Sequence, residues 1–209
     1  MGRYLGPKCR LCRREGTKLF LKGTRCNTEK CSFVKRPRLP GMHPVTSTKP
    51  SYYAIQLREK QKVKRMYGML EKQFRRFFKI AAKSKGITGE LLLQLLERRL
   101  DNVIYRALFS LSRNQAHQFV RHGFVFIKGR RVDIPSYLVK EADVIEIKAK
   151  ESIIKMIKEN IEINSKERSI PRWLEVDKDN LEIKILHLPQ KSDIGVPINE
   201  QLIVELYSK

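Results

Sequence analysis

RRLDNVIYRALFSLSRNQAHQFVRHGFVFIKGRRVDIPSYLVKEADVI, residues 98–145, changes texture along its length. Residues 99–109 space their apolar side chains as a short helix does. Ser112 followed by Gln115 is a capping box that opens a second helix, and Gly123 ends it. Phe124–Ile127, a Lys128-Gly129 turn and Val132–Ile134 then read as a tight hairpin, with Val144–Ile147 alternating as a further strand. The pattern is helix, turn, helix, hairpin, and it sets the fold class as α+β with antiparallel strands.

Working outward, Ser51 caps a helix that runs to Gly68, with a thin apolar set of Ile55, Leu57, Val63 and Met66. Glu71–Lys83 places Phe74, Phe77, Phe78 and Ala81 at helical spacing, which suits a core face better than a base-stacking platform. Gly86 closes that helix, and Thr88 opens another through Leu96. Beyond residue 150, Ser152–Glu162 reads as helix, and Trp173–Val176 and Leu181–Leu186 flank Asp177-Lys178-Asp179-Asn180 as a hairpin. The tail, Asn199–Tyr207, has an Asn cap and buries Leu202, Ile203 and Leu206. Three parts follow. Residues 1–50 are a basic arm and linker, and residues 51–97 are a helical domain completed by 199–207. Residues 98–198 are a domain of antiparallel strands with helices whose compact module is 98–150.

The arm holds every cysteine of the chain, Cys9, Cys12, Cys26 and Cys31, as C-x2-C, thirteen residues, then C-x4-C. Two short knuckles separated by a loop let four thiolates converge on one structural Zn²⁺ with no open position for catalysis. Disulfides are the rival, and they belong to an oxidising compartment. The start, MGRYLGPKCRLCRR, has no signal-peptide core, and no apolar run is long enough to span a bilayer. The reading is a soluble, cytoplasmic protein. Residues 35–50, rich in proline, are an irregular cationic linker that orders on its partner.

The chain has 209 residues, and 44 Lys+Arg against 22 Asp+Glu leave it at +22. Residues 1–50 carry +11, 51–97 carry +7 and 98–150 carry +6, whereas 151–209 carry −2. An excess sustained over 150 residues calls for a polyanionic partner. A membrane surface competes poorly, because neither a lipid anchor nor a basic amphipathic helix with a bulky apolar face is present. No catalytic motif assembles, and His43, His117, His122 and His187 are scattered, so neither an enzyme nor a small-molecule substrate is expected. Asp101 reads as an acid that fixes a neighbouring arginine or caps a helix.

Taken in order, CRLCRREGTKLFLKGTRCNTEKC with KRPRLPGMH, the stretch of residues 98–145 and the tail NEQLIVELYSK resemble the zinc-binding, four-cysteine form of the bacterial ribosomal protein S four family. The resemblance covers essentially the whole chain. It implies a structural constituent of the small ribosomal subunit that is a primary binder of the 5′ domain of 16S ribosomal RNA. Such a protein nucleates assembly of the subunit body, meets neighbouring small-subunit proteins and messenger RNA where it enters, and contributes to translational accuracy. It also implies a zinc arm, a helical domain and, inserted in it, residues 98–198 as an RNA-binding domain of antiparallel strands with helices, its compact RNA-binding module at 98–150. The family's module pattern falls on Arg99, Leu100, Asp101, Ser112, Arg113, Ala116, Gly123, Val125, Ile127 and Gly129, while Asn114, His117, Phe124 and Lys128 depart from it.

The RNA-facing residues expected on this reading come from each part. The arm offers Arg3, Lys8, Arg10, Arg13, Arg14, Lys22, Lys35, Arg36 and Arg38, and the first helix Arg58, Lys62 and Arg65. The module offers Arg99, Ser112, Arg113, Arg121, Lys128, Arg130 and Arg131. Arg113 and the helix N-terminus act on one phosphate, so its loss weakens RNA binding with little effect on melting, whereas Arg121 matters less. Two other functions fit worse. A pseudouridine synthase carrying the same module needs a catalytic domain that the 59 residues after 150 cannot supply. A zinc-dependent DNA regulator needs a base-reading helix.

Overall fold

The computed structural model describes residues 4–42, 49–195 and 197–208. Arg3 and residues 43–48 of the expected linker, including His43, lie outside the described residues. Two compact units form, one from the residues up to Leu92 with the C-terminal segment after Gly195, the other from Leu93–Gly195.

The first unit holds α1 (Lys8–Glu15), a 3-10 turn (Gly23–Cys26), α2 (Ser32–Lys35), α3 (Tyr52–Met66), α4 (Glu71–Lys83), the first half of α5 (Thr88–Glu97), and α9 (Glu200–Tyr207). Ser51 Oγ accepts from the Ala54 N–H, as its position predicts, and Gly68 follows α3 at φ +65°, a conformation glycine adopts without strain. The apolar face of α3 differs from expectation. Val63 and Met66 are buried, but Ile55 is exposed and the inward positions go to Gln56 and Lys60. Their partners come from elsewhere in the unit: Gln56 donates to Glu205 of α9, and Lys60 to Glu71.

Glu71 is the junction of three helices. Its carboxylate accepts from Lys60 and Lys64 of α3 and from the Tyr207 hydroxyl of α9, all at 2.9 Å. Phe78 and Phe74 pack on the Tyr207 ring at 4.5 and 6.2 Å. Burial alone would push the Glu71 carboxyl up; the bonds from Lys60, Lys64 and Tyr207 outweigh it and bring the pKa to about 2. The depressed value stabilises the fold above the ordinary 4.5, and that contribution disappears as pH falls through about 2. Glu71→Gln is therefore expected to cost about 1–2 kcal/mol at neutral pH and nothing near pH 2, as read by denaturant melts across pH. An equal cost at both pH values would contradict this. Asn199 stands at the α9 N-cap without a side-chain cap bond, and its own N–H donates to Glu59 instead. Ile203 is buried, but Leu202 and Leu206 are only half-buried.

The second unit contains α6 (Leu100–Arg106), α7 (Arg113–Arg121), β1 (Val125–Ile127), β2 (Arg130–Arg131), β3 (Val144–Ile147), α8 (Glu151–Ser165), β4 (Leu174–Asp177) and β5 (Glu182–Ile185). The strands form one antiparallel sheet in the order β2-β1-β3-β5-β4. The inward residues Val125, Ile127, Ile145, Ile147, Ile183 and Ile185 alternate with outward Phe126, Glu146, Glu182 and Lys184. They meet Leu100, Ile104, Phe119, Ile157 and Trp173 in a single core.

Two local expectations are corrected. The second hairpin strand is Arg130–Arg131 rather than Val132–Ile134, because Ile127 pairs with Arg130 across a two-residue turn in which Lys128 and Gly129 both have positive φ. Ser112 does accept from the Gln115 N–H, but the Gln115 side chain reaches back to the N–H of Leu111 rather than that of Ser112. The loop between α6 and α7 is clamped from α8. Asn160 donates to the Phe109 carbonyl and Asn164 to those of Leu108 and Ser110, holding Leu108 at φ +69°.

Candidate nucleic-acid interface

In the arm, Cys9 and Cys12 lie one turn apart on α1, Cys26 ends the 3-10 turn and Cys31 stands before α2. The first knuckle is thus helical. All four cysteines are free thiols, and Cys12, Cys26 and Cys31 are buried. Burial pushes the Cys12 thiol up; a Leu19 N–H bond opposes this, and nearby Cys26, Cys9 and Cys31 add to it. Cys26 is likewise pushed up by burial, against a hydrogen bond from the Lys22 N–H at 3.4 Å. By chemistry alone, four thiols suit a soft divalent cation as a donor set. Among the described residues, however, no group of three or more His, Cys, Asp or Glu side chains stands in position to hold a metal ion.

The cations of the arm fall into two classes. Arg10, Arg14, Lys22, Lys35, Arg36 and Arg38 are exposed. Arg13 turns inward and donates to the carbonyls of Arg38 and Leu39, which draws the start of the linker back onto α1. Lys8 folds over the Tyr4 ring and donates to the Tyr4 carbonyl.

Arg58 and Arg65, expected to face RNA, converge on Glu15 of α1, whose side chain is fully buried. Burial raises the Glu15 carboxyl, and Arg65 and Arg58 oppose it. The two arginines therefore fasten the arm to α3. No local pattern marks Glu15 for this role, because its partners lie 43 and 50 residues away. Lys62 is also engaged, with Glu59 at 2.7 Å and the Pro197 carbonyl at 3.0 Å.

In the module, Arg99 requires the plainest correction. Its side chain is 4% exposed and grips Asp101 with two bonds of 3.1 and 2.8 Å, so it is not part of an RNA-facing surface. The segment at 135–139 covers it through hydrogen bonds from the Leu100 N–H to the Tyr137 carbonyl and from the Val139 N–H to the Arg98 carbonyl. Asp101 also meets His117 Nδ1 at 3.1 Å. Burial would raise the Asp101 carboxyl, but Arg99 and His117 hold it below the usual carboxylate range. The reading of Asp101 as an acid that fixes a neighbouring arginine agrees with this geometry.

Arg121 at the end of α7, Lys128 in the β1–β2 turn and Arg130 and Arg131 on β2 are exposed. Lys128 is tethered at 2.8 Å to Asp143, a carboxylate 2% exposed, and this pairing raises the Lys128 pKa. Arg131 lies across Gly123: a Cβ there would meet the Arg131 guanidinium at 2.0 Å, so glycine permits the close approach as well as the φ of +74°.

Ser112 and Arg113 begin α7 at partly exposed positions. Arg113 is braced, its Nε donating to Asn102 at 2.8 Å and its guanidinium lying 4.4 Å from the Tyr105 ring centre. Removing it would disturb α6 as well, contrary to the expected small effect on melting. Sequence reading missed Tyr105 and Arg168, whose guanidinium lies 4.2 Å from the same ring centre. Tyr105 sits within an apolar helical run and Arg168 in a polar turn, so neither stood out.

Comparison with known proteins gives two adjoining family matches. Residues 3–97 match the model for the ribosomal protein S4/S9 N-terminal domain, and residues 98–145 match that for the S4 domain. Over their full lengths and the whole of this chain, proteins named small ribosomal subunit protein uS4 are similar: 58% identical in Caldicellulosiruptor saccharolyticus, 54% in Thermoanaerobacter pseudethanolicus and 53% in Dictyoglomus thermophilum.

Proposed function

The chain belongs to the uS4 family of small ribosomal subunit proteins, and from that premise we propose the surface by which it works. It is a non-enzymatic structural constituent of the small subunit of the cytoplasmic ribosome, and it binds ribosomal RNA. The observation that supports the surface is the separation of its cations. Those of Arg99, Arg58 and Arg65 are spent on buried carboxylates and Lys128 is tethered to Asp143, while Arg121 at the end of α7 and Arg130 and Arg131 on β2 stand exposed. Structured RNA is recognised through shape and phosphates, and a ridge of fixed cations with few free aromatics suits that mode.

The partner we propose is the 5′ domain of 16S ribosomal RNA, bound early so that the protein nucleates assembly of the subunit body. Neighbouring small-subunit proteins, messenger RNA where it enters, and a contribution to translational accuracy belong to the same proposal. The test is retention of a 5′-domain RNA fragment by the purified protein against an equal mass of 3′-domain RNA. Preference for the 5′ domain supports the assignment; equal retention overturns it.

The arm we propose as a zinc-binding element, with Cys9, Cys12, Cys26 and Cys31 as the four ligands. The bound ion would supply the cohesion that a segment with few buried side chains besides Leu19 lacks. Reduced protein is then expected to carry one Zn²⁺ by elemental analysis, and Cys26→Ala to loosen the arm while the second unit keeps its melting transition. Zinc-free protein at full thiol reduction would refute the assignment.

A further inference from the structure

We infer that His122, stacked on Phe124 with Arg131 at its carbonyl, is a subsite for an unpaired RNA base, which stacks on the imidazole while Arg131 takes a phosphate of the same strand. The inference rests on the RNA-binding reading above and adds a base contact to a surface otherwise made of cations. The two rings are nearly parallel, 16° apart with centroids 5.7 Å apart, as in an offset stack. His122 is exposed, whereas Phe124 is half-buried with its ring centre 6.4 Å from that of the buried Phe119. Phe124 thus bridges the core and an imidazole that meets water.

Backbone bonds hold the stack in place. The Phe124 N–H donates to the Phe119 carbonyl at 3.3 Å, and the Phe124 carbonyl accepts from the Lys148 N–H at 2.8 Å. His122 is held at both ends of its residue: its N–H donates to the Gln118 carbonyl at 2.9 Å, and its carbonyl accepts from Arg131 Nη2 at 3.3 Å. Arg131 reaches that carbonyl by lying on Gly123, where a Cβ would meet the guanidinium at 2.0 Å. The glycine between the two aromatic residues therefore admits a cation at the stack. Phe126, the other outward aromatic of β1, is excluded from the subsite because the Lys148 ammonium already lies over its ring at 5.3 Å.

Bases inside an RNA helix are stacked on one another, so a protein ring finds a free face only on a nucleotide of a loop or bulge. Stacking tolerates any base, and a ring already held parallel to a second one loses little freedom when a base covers it. The guanidinium supplies a charge-assisted donor for the phosphate.

The structural alternative is that His122 only covers Phe124 at the end of α7. The two roles separate in salt dependence and in which substitution preserves binding, because stacking releases no counterions and needs only an aromatic ring. Affinity for a 16S 5′-domain RNA fragment is measured from about 0.1 to about 0.4 M KCl, with melting curves, for the full chain and its His122→Ala, His122→Phe and Arg131→Ala variants. His122→Ala is expected to bind about tenfold more weakly at every salt concentration with an unchanged log–log slope, and His122→Phe to bind as the wild type does. Arg131→Ala should bind more weakly with a slope shallower by about 0.9. Wild-type affinity in His122→Ala would overturn the subsite. So would a slope made shallower by that substitution, or a His122→Phe variant that binds as weakly as His122→Ala.

If His122→Ala melts below the assay temperature, wild-type protein labelled with ¹³C-histidine decides the matter. The His122 ring resonance should move upfield on RNA addition, under the ring current of a base, and an unmoved resonance overturns the subsite. A resonance that responds only to other small-subunit proteins would assign this face to a protein contact and overturn it equally. Wild-type protein that fails to bind the fragment at all would instead count against the RNA-binding reading itself.

Discussion

Asp101→Asn is expected to cost the second unit about 3–5 kcal/mol, because it leaves the Arg99 guanidinium buried without its charge partner. Asp101 is 5% exposed and Arg99 3% exposed, so water cannot take over the lost interaction. The carboxylate is also the point where α6, through Asp101, meets α7, through His117. A loss of that size is a large share of the stability of an ordinary domain. Urea unfolding followed by circular dichroism should show the transition of this unit moving to much lower denaturant, with RNA binding lost alongside it. A midpoint changed by less than about 1 kcal/mol would show that the pair contributes little. The aspartate in the module thus acts on its fold, holding Arg99 and meeting His117.

The second large effect is expected at β2. Arg130→Ala with Arg131→Ala removes two exposed cations from a strand whose backbone pairing with β1 stays intact. The double variant should bind 5′-domain RNA roughly 10- to 100-fold more weakly and with a salt slope shallower by about 2, since two phosphate contacts are lost. Its melting temperature should change little, the Arg131 bond to the His122 carbonyl being exposed and 3.3 Å long. Lys128→Ala makes a poorer probe, because it also strips Asp143 of its ion pair. Unaltered affinity in the double variant would move the RNA surface away from the hairpin.

Most of the fold was legible because local chemistry marks its boundaries. Ser51 and Ser112 cap the helices they precede, Lys128-Gly129 makes the turn its residues require, and Val144–Ile147 alternates as a half-buried strand does. Illegible features depend on partners far along the chain. Two adjacent arginines look like solvated charge, and they are recognised as an edge strand only through register with Phe126 and Ile127. Lys60 reads as a surface cation until Glu71 and the Tyr207 ring are placed around it. Arg99 reads as a ligand for phosphate until the segment at 135–139 closes over it.

The candidate site divides the same way. Net charge placed the cationic excess in the first 150 residues, and the cysteine spacing singled out the arm. Which cations remain available was hidden, because a basic protein must also pair its own acids, and Glu15, Glu71 and Asp101 each claim two or more basic side chains. Asn160 and Asn164 were illegible for a related reason. Polar residues on the inner face of α8 interrupt its apolar pattern, yet they are what holds the loop that presents Ser112 and Arg113.

The most direct measurement is competition between a 16S 5′-domain RNA fragment and a DNA duplex of equal length for the full-length protein, repeated across KCl concentrations. If the surface grips about eight phosphates of shaped RNA, the log–log slope for RNA falls at about −6 to −7, and RNA holds the protein against a large excess of duplex. Equal affinity for the duplex, or a slope near −1, would contradict the account.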